Sequence, residues 1–163
     1  MAINLSINIT DDDRRFMKMA CDIASANIDS GGGPFGTVIV KDGEVIAAAG
    51  NSVTLDNDPT AHAEVNAIRR ACSLTRNFKL DGCVVYSSCE PCPMCLSALY
   101  WAGVSRIYYG NTAADADRIS FGNDFIYKEI AKPHLERSIP CIRIDEPAAI
   151  AAFNKWDEDK IEY

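Results

Sequence analysis

Apolar side chains recur along this chain with the two spacings that distinguish helices from strands. Between residues 11 and 28 they return every three or four positions, and three aspartates stand at the amino-terminal end. This pattern predicts an amphipathic helix. Residues 35–40 and 44–49 are short apolar runs joined by Lys41-Asp42-Gly43, which predicts a β-hairpin.

The remaining chain alternates between helical and extended patterns. Asp58 and Pro59 predict an N-cap followed by a helix over residues 59–72. Periodicity predicts the other elements: strands at 83–87, 106–109 and 141–144, and helices at 91–102 and 147–156. This order indicates an α/β fold, a three-layer α-β-α sandwich with a five-stranded mixed sheet that begins with the hairpin.

Length and composition limit the class of protein. A chain of 163 residues favours one domain, covering residues 1–163, with 145–163 as a C-terminal helix and tail. Residues 1–16 have no cationic start, and no apolar run approaches the roughly 20 residues that cross a bilayer. We therefore expect a cytoplasmic protein that does not bind membranes.

The cysteine count also favours a reducing compartment. Seven cysteines are an odd number, which argues against a secreted disulfide framework. Those outside the motif described below are expected to be small packing residues: Cys21, Cys72, Cys83, Cys89 and Cys141.

The charge balance bears on the partners of the protein. The net charge is −7, and the sequence has no cluster of lysines and arginines. Proteins that neutralise a nucleic-acid backbone usually present such clusters, so by this criterion nucleic acid is not the expected partner. A small molecule is the expected substrate.

Two short motifs carry the candidate chemistry, His62-Ala63-Glu64 and Pro91-Cys92-Pro93-Met94-Cys95. One imidazole and two thiolates, from His62, Cys92 and Cys95, leave the fourth corner of a Zn²⁺ tetrahedron for water, as in catalytic zinc sites. Cys92 and Cys95 are three residues apart on a predicted helix, so their sulfurs can converge. The amino-terminal end of a helix also lowers thiol pKa values and favours the thiolates that zinc requires.

Glu64 is the candidate catalytic residue. It follows His62 by two positions, cannot share its helix face, and is expected to move protons from the zinc-coordinated water to the substrate. A dithiol redox motif or structural zinc could explain Cys92 and Cys95 alone. The combined order, H-x-E followed by P-C-x-x-C, is the signature of zinc-dependent nucleobase deaminases.

Longer segments around these motifs resemble the cytidine deaminase-like superfamily and, within it, the small bacterial guanine deaminases. The resemblance rests on Gly33-Pro34-Phe35-Gly36, 57–64, 88–95, 125–129 and Glu162-Tyr163. The first three segments are also similar to tRNA adenosine deaminases, whereas the last two are typical of guanine deaminases. The resemblance implies the three-layer fold, a zinc cofactor, a nucleobase substrate, and a homodimer whose C-terminal segment reaches the partner's active site.

The resemblance also implies substrate contacts. Asn51 would hydrogen-bond the purine, Phe35 would pack against the base, and Ala63 would line the pocket. Tyr163 would close the partner's site. In addition, the backbone N–H of Cys92 is expected to stabilise charge that develops during the reaction.

One position departs from the pattern of the guanine deaminases. The family has an acidic residue shortly before the Phe-Ile-Tyr segment, and an ungapped match places Asn123 there, with Asp124 adjacent. Asp124 is therefore the expected substitute, and Asp115 and Asp117 are further candidates that are more typical of a solvated helix face.

These observations predict hydrolytic deamination of a free nucleobase, with guanine converted to xanthine and ammonia. Guanosine, cytosine-type bases and triazines remain possible substrates, because the zinc chemistry is common to all of them. The motifs are also compatible with a tRNA adenosine deaminase and with a catalytically silent zinc-binding module.

Overall fold

The computed structural model describes residues 8–159, with side chains described up to residue 156. The strands are β1 Gly33–Lys41, β2 Glu44–Asn51, β3 Val84–Cys89 and β4 Arg106–Asn111. The helices are α1 Asp11–Asp29, α2 Val53–Asp56, α3 Ala63–Thr75, α4 Pro93–Ala102, α5 Ala113–Asp117, α6 Asp124–Ile130 and α7 Pro147–Asp159. A 3-10 turn covers His134–Glu136.

The sheet is mixed, as predicted, but it has four strands within the described residues and not five. Their order is β2-β1-β3-β4, with β1 antiparallel to both neighbours and β3 parallel to β4. The predicted strand at residues 141–144 is wrong. Ile142 and Ile144 are 74% and 83% exposed, and no described strand pairs with their backbone.

Helices cover both faces of the sheet, which confirms the α/β class. Side chains alternate along β1 and β3, so Val38 and Tyr86 pack with Phe16 of α1. On the other face, Ile39 and Val85 pack with residues of α3 and α4. The face toward α3 and α4 is therefore the one that positions the two motifs.

Helix α3 begins four residues later than its predicted start at Pro59. The carboxylate of Asp58 accepts hydrogen bonds from the backbone N–H and hydroxyl of Thr60, at 2.8 and 2.7 Å, and so closes a local turn. His62, with extended backbone, is the residue at the N-cap position. The predicted N-cap at Asp58 is wrong, and Glu64 lies in the first turn of α3.

The cysteines outside the motif differ in burial. Cys83 and Cys89 are buried and Cys72 is half-buried, as expected for packing residues. Cys21 and Cys141 are exposed, so the prediction that they are core residues is wrong for these two. In α1 the buried residues are Phe16, Ala20 and Ala24, and the helical period directs Cys21, the residue after Ala20, toward solvent.

Two compact units can be distinguished, one up to Phe125 and one from Ile126 onward. The first contains the sheet and both motifs. Within the second, the Glu129 carboxylate accepts hydrogen bonds from the backbone and hydroxyl of Ser138. A single domain over residues 1–163 stays a prediction. Within residues 8–159, no helix is long and apolar enough to cross a membrane.

Candidate active site

Three predicted metal ligands converge where α3 and α4 begin. The Nδ1 atom of His62 lies 3.6 Å from the Cys92 sulfur and 3.4 Å from the Cys95 sulfur. The three ligand atoms all lie within 4.8 Å of one another. Tetrahedral zinc with bonds of about 2.0 Å to nitrogen and 2.3 Å to sulfur separates these atoms by about 3.5 Å. The residues therefore fit a zinc ion.

The two cysteines occupy different positions at the start of α4. Cys92 is the N-cap residue, Pro93 begins the helix, and Cys95 follows in the first turn. Hydrogen bonds from Cys95 and His62 lower the pKa of Cys92 to about 4. The same contact with Cys92, together with burial, raises the pKa of Cys95. Zinc binding requires both sulfurs as thiolates, so a bound ion would favour loss of the proton from Cys95.

Glu64 lies next to this cluster and is 6% exposed. Burial raises its pKa, and its own backbone N–H, Cys95 and Ser87 act in the opposite direction. Ser87, on β3, donates a hydrogen bond to Oε1 of Glu64 at 3.1 Å. A carboxylate with a raised pKa beside an open metal position is suited to accepting and returning a proton.

Asn51 ends β2 and is 5% exposed. The backbone N–H of Val53 donates to its side-chain oxygen at 3.2 Å, so the amide Nδ2 is the group that can donate to a ligand. The side chain of Asn27 fixes this corner by donating to the carbonyl oxygens of Gly33 and Asn51, both at 2.7 Å. A Cβ at Gly50 would lie 2.4 Å from the Asn27 side-chain oxygen, so a larger residue at position 50 would displace the Asn27 side chain.

The other predicted contacts are placed differently. Phe35 is half-buried and packs edge-on against Phe121, with ring centroids 5.0 Å apart. Ala63 is fully buried. Asn123 and Asp124 both line a surface cavity of about 500 Å³ in the first unit. Tyr163 lies outside the described residues.

The two further acidic candidates also have defined surroundings. Asp115 forms a capping box with Thr112 at the start of α5 and pairs with Arg118. Asp117 lines the same cavity as Asn123. Asp115 is therefore engaged in local structure, and Asp117 is the one that shares a surface with the predicted substrate contact.

Three residues that the structure places in the site were missed from the sequence, namely Asn27, Thr37 and Ser87. Thr37 and Ser87 could have been noticed in the sequence as polar residues inside apolar strand segments. A hydroxyl buried in this way needs a hydrogen-bond partner. Asn27 offered no such signal, because its bonds to residues 33 and 51 depend on the tertiary fold.

Comparison with known proteins agrees with this geometry. Residues 10–111 match the model of the cytidine and deoxycytidylate deaminase zinc-binding region. The chain therefore belongs to this zinc-dependent deaminase family. It is 49% identical over 142 residues to the guanine deaminase of Bacillus subtilis (strain 168), which covers 86% of this chain and 91% of that protein.

Solved structures extend the comparison to the fold. The structure of the Bacillus subtilis guanine deaminase superimposes with a TM-score of 0.89 at 48% identity, covering 92% of this chain and 98% of that one. The guanine deaminase from Nitrosomonas europaea gives 0.65 at 28% identity, covering 72% and 67%. The tRNA-specific adenosine deaminase of Aquifex aeolicus (strain VF5) is 42% identical over 94 residues, or 58% of this chain and 62% of that protein.

Proposed function

We propose that this protein is a zinc-dependent aminohydrolase that converts guanine and water to xanthine and ammonia. The observation that carries the proposal is the buried Glu64 beside the convergent His62, Cys92 and Cys95. Three protein ligands leave one zinc position open, and a carboxylate that does not bind the metal is free to transfer protons. The high identity to a guanine deaminase supports guanine as the substrate.

His62, Cys92 and Cys95 would hold the zinc ion, which when bound lowers the pKa of a coordinated water toward about 7. Glu64 accepts a proton from the attacking water and gives it to the ring nitrogen next to the carbon that bears the amino group. Glu64 then takes the second proton, from the hydroxyl added at that carbon, and gives it to the amine, so that the carbon–nitrogen bond breaks as the carbonyl forms. The backbone N–H of Cys92, at the N-cap position of α4, would stabilise negative charge that develops in the reaction.

We further propose which side chains orient the base. Asn51 donates from Nδ2 to the oxygen at position 6 of the purine, and Phe35 packs against the ring, with Ala63 beside it. Asn123 and Asp124 line one cavity. In our proposal Asp124 accepts ring N–H groups in place of the acidic residue that Asn123 replaces.

The assembly we propose is a homodimer in the cytoplasm whose C-terminal segments cross between subunits. Apolar side chains of the second unit are more than half exposed: Leu135, Ile139, Ile142, Ile144 and Phe153. Such a density of exposed apolar surface is typical of a protein interface. Tyr163 would then close the site of the partner subunit.

Ammonia release from purified zinc-loaded protein tests the substrate. The assay compares guanine with guanosine, adenine, cytosine and cytidine, and uses Glu64→Gln as the blank. We expect rapid release from guanine and at least about 100-fold less from the other compounds, because a missing hydrogen bond in a buried site is costly. Turnover of another base with no turnover of guanine would mean that Asn123 has changed the specificity.

A tRNA-binding experiment distinguishes the tRNA adenosine deaminase hypothesis from the proposed function. A tRNA deaminase would bind tRNA tightly and with strong salt dependence. At a net charge of −7, we expect no such binding in a gel-shift titration. Zinc content without ammonia release from any base would instead indicate a silent zinc-binding module.

A further inference from the structure

Two buried hydroxyl groups lead from the interior of the sheet to the catalytic carboxylate. The Ser87 hydroxyl donates to Glu64 Oε1 at 3.1 Å, and the Thr37 hydroxyl donates to Ser87 Oγ at 3.3 Å. Thr37 and Ser87 are 0% and 1% exposed. A buried hydroxyl costs free energy unless it is hydrogen-bonded, and these two satisfy each other and Glu64.

The register of the sheet brings the two hydroxyls together. Thr37 on β1 and Ser87 on β3 are directly opposite each other in an antiparallel pair. Cross-strand neighbours in such pairs are close enough for their hydroxyls to bond. Because side chains alternate with a period of two, they share the face of Ile39 and Val85, which packs against α3 and α4.

The direction of the hydrogen bonds follows from which groups can donate and which can only accept. An ionised carboxylate only accepts hydrogen bonds, so the single Ser87 proton points to Glu64. The lone pairs of Ser87 are then left to accept the Thr37 proton. Thr37 therefore restricts rotation of the Ser87 hydroxyl, and Ser87 restricts the Glu64 carboxylate.

We propose that Ser87 is a positioning residue for the proton transfers of Glu64, and that Thr37 acts through Ser87. The proposal rests on the proposed function, in which Glu64 carries protons between water, base and amine. Glu64 has a flexible side chain, and a misplacement of about 1 Å in a reacting group can reduce the rate by about 100-fold. A hydrogen bond from a strand in the middle of the sheet supplies a rigid support.

Steady-state kinetics on guanine test this proposal, with zinc content and thermal unfolding measured on every variant. Ser87→Ala should lower kcat by about 10-fold or more, and leave KM within about twofold, because substrate contacts are intact. Ser87→Thr should recover most of kcat, because it restores a hydroxyl. Thr37→Val, which is nearly isosteric, should lower kcat by about threefold alone and by nothing further in the Ser87→Ala background.

Ser88→Ala is the matched control. Ser88 is the next residue on β3, is 4% exposed, and accepts the backbone N–H of Gly36 at 3.0 Å on the opposite face. Its loss should lower stability but keep kcat within about twofold of wild type. A wild-type kcat in Ser87→Ala, or equal kcat losses in Ser87→Ala and Ser88→Ala, would overturn the positioning role. Failure of the proposed function would differ, since wild type itself would then release no ammonia from guanine.

Discussion

Glu64 is surrounded by protein on nearly every side, so in the proposed mechanism a few neighbours would control its proton transfers. It is 6% exposed, receives the Ser87 hydroxyl, and stands beside the ligand cluster. Water has little access to substitute for the carboxylate. In the proposed mechanism the proton transfers therefore depend on this one side chain, and its removal should lower the rate without disturbing the metal site.

Glu64→Gln should keep bound zinc and lose about 10²–10⁴-fold or more in kcat, because an amide cannot accept and return a proton. The measurement is ammonia release from guanine together with zinc content by atomic absorption. Glu44→Gln, on the exposed start of β2, is the control and should be fully active. Turnover at the wild-type rate by Glu64→Gln would remove this residue from the mechanism.

Asn27→Asp should raise KM for guanine by about 10-fold while kcat changes little. Aspartate has the same shape but cannot donate to the carbonyl oxygens of Gly33 and Asn51, so the backbone that carries Asn51 shifts. Steady-state kinetics and thermal unfolding give the two readouts. Asn77→Asp, in an exposed turn, is the matched control and should change neither KM nor kcat.

At the residue scale, the sequence predicted the groups whose spacing along the chain defines the chemistry. His62, Cys92 and Cys95 were predictable because a zinc tetrahedron requires few ligands with short separations. Ser87 and Thr37 were not, because they meet across two strands, and only the register brings a pair so distant in sequence into contact. The sequence also did not determine which acidic residue near Asn123 contacts the substrate, because the geometry of the loop decides which carboxylate reaches a ligand.

At the scale of elements, α1 is joined to the sheet by polar contacts as well as by its apolar face. Asp13 forms a capping box with Thr10 and also accepts the hydroxyl of Tyr86 at 2.6 Å. Tyr86 is a core residue of β3 that stacks on Tyr108. The start of α1 is thus tied to the strand that also carries Ser87.

This tie should make stability depend on pH. The hydroxyl of Tyr86, followed by the contacts of Thr10, lowers the pKa of Asp13 below its ordinary value of 3.8. A lowered carboxyl pKa stabilises the fold above pH 3.8, and the effect is lost as pH falls through the folded-state pKa. Asp13→Asn should therefore lower Tm at pH 7, and the difference from wild type should narrow below pH 3.8.

The control for Asp13→Asn is Asp12→Asn. Asp12 is exposed and pairs with Arg15 on the same helix, an arrangement that adds little stability. Scanning calorimetry from pH 7 to pH 3 gives both curves. A Tm difference for Asp13→Asn that stays constant across this range would contradict the role assigned to its charge.

Strands and helices were predictable where a long periodic pattern of apolar residues was not accompanied by residues that also favour a turn. The α1 helix and the hairpin agree with the structure to within two residues at each end. The start of α3 was misjudged because Asp58 and Pro59 are also good turn residues, and the turn is what forms. Residues 141–144 have the composition of a strand, but a strand also needs a neighbouring strand to pair with, and no described strand lies beside these residues.

At the scale of the whole molecule, the zinc ligands join two helices that are distant in sequence. His62 precedes α3, whereas Cys92 and Cys95 belong to the start of α4. A bound ion would hold both helix ends against the sheet. The fold class was predictable at this scale, because it follows from the order of helices and strands along the chain. Assembly was not, because the sequence does not show which surface residues form an interface.

Removal of zinc by a chelator should abolish ammonia release and lower Tm by several degrees, because ligand binding to the folded state adds directly to stability. Added zinc should restore both. The Cys95→Ala variant provides a comparison, since chelation should then have little further effect on Tm. A Tm that does not change on chelation would show that the metal contributes no stability.

Deletion of the last four residues should abolish turnover and leave zinc content unchanged, if Tyr163 closes the site of the partner. Mixing the truncated protein with full-length Glu64→Gln gives dimers in which one subunit has an intact Glu64 and the other an intact tail. Activity should reappear on mixing. A mixture as inactive as its two components would show that the tail does not act across subunits.

The orientation of Asn51 has a consequence for the end of the reaction. The Val53 N–H holds the side-chain oxygen, so under the proposed function Nδ2 is the group that would donate to the bound base. Guanine and xanthine carry the same oxygen at position 6, so this amide would hold the product as firmly as the substrate. Such uniform binding lowers KM without assisting the chemical step. Xanthine should therefore be a competitive inhibitor, and this contact would slow its departure.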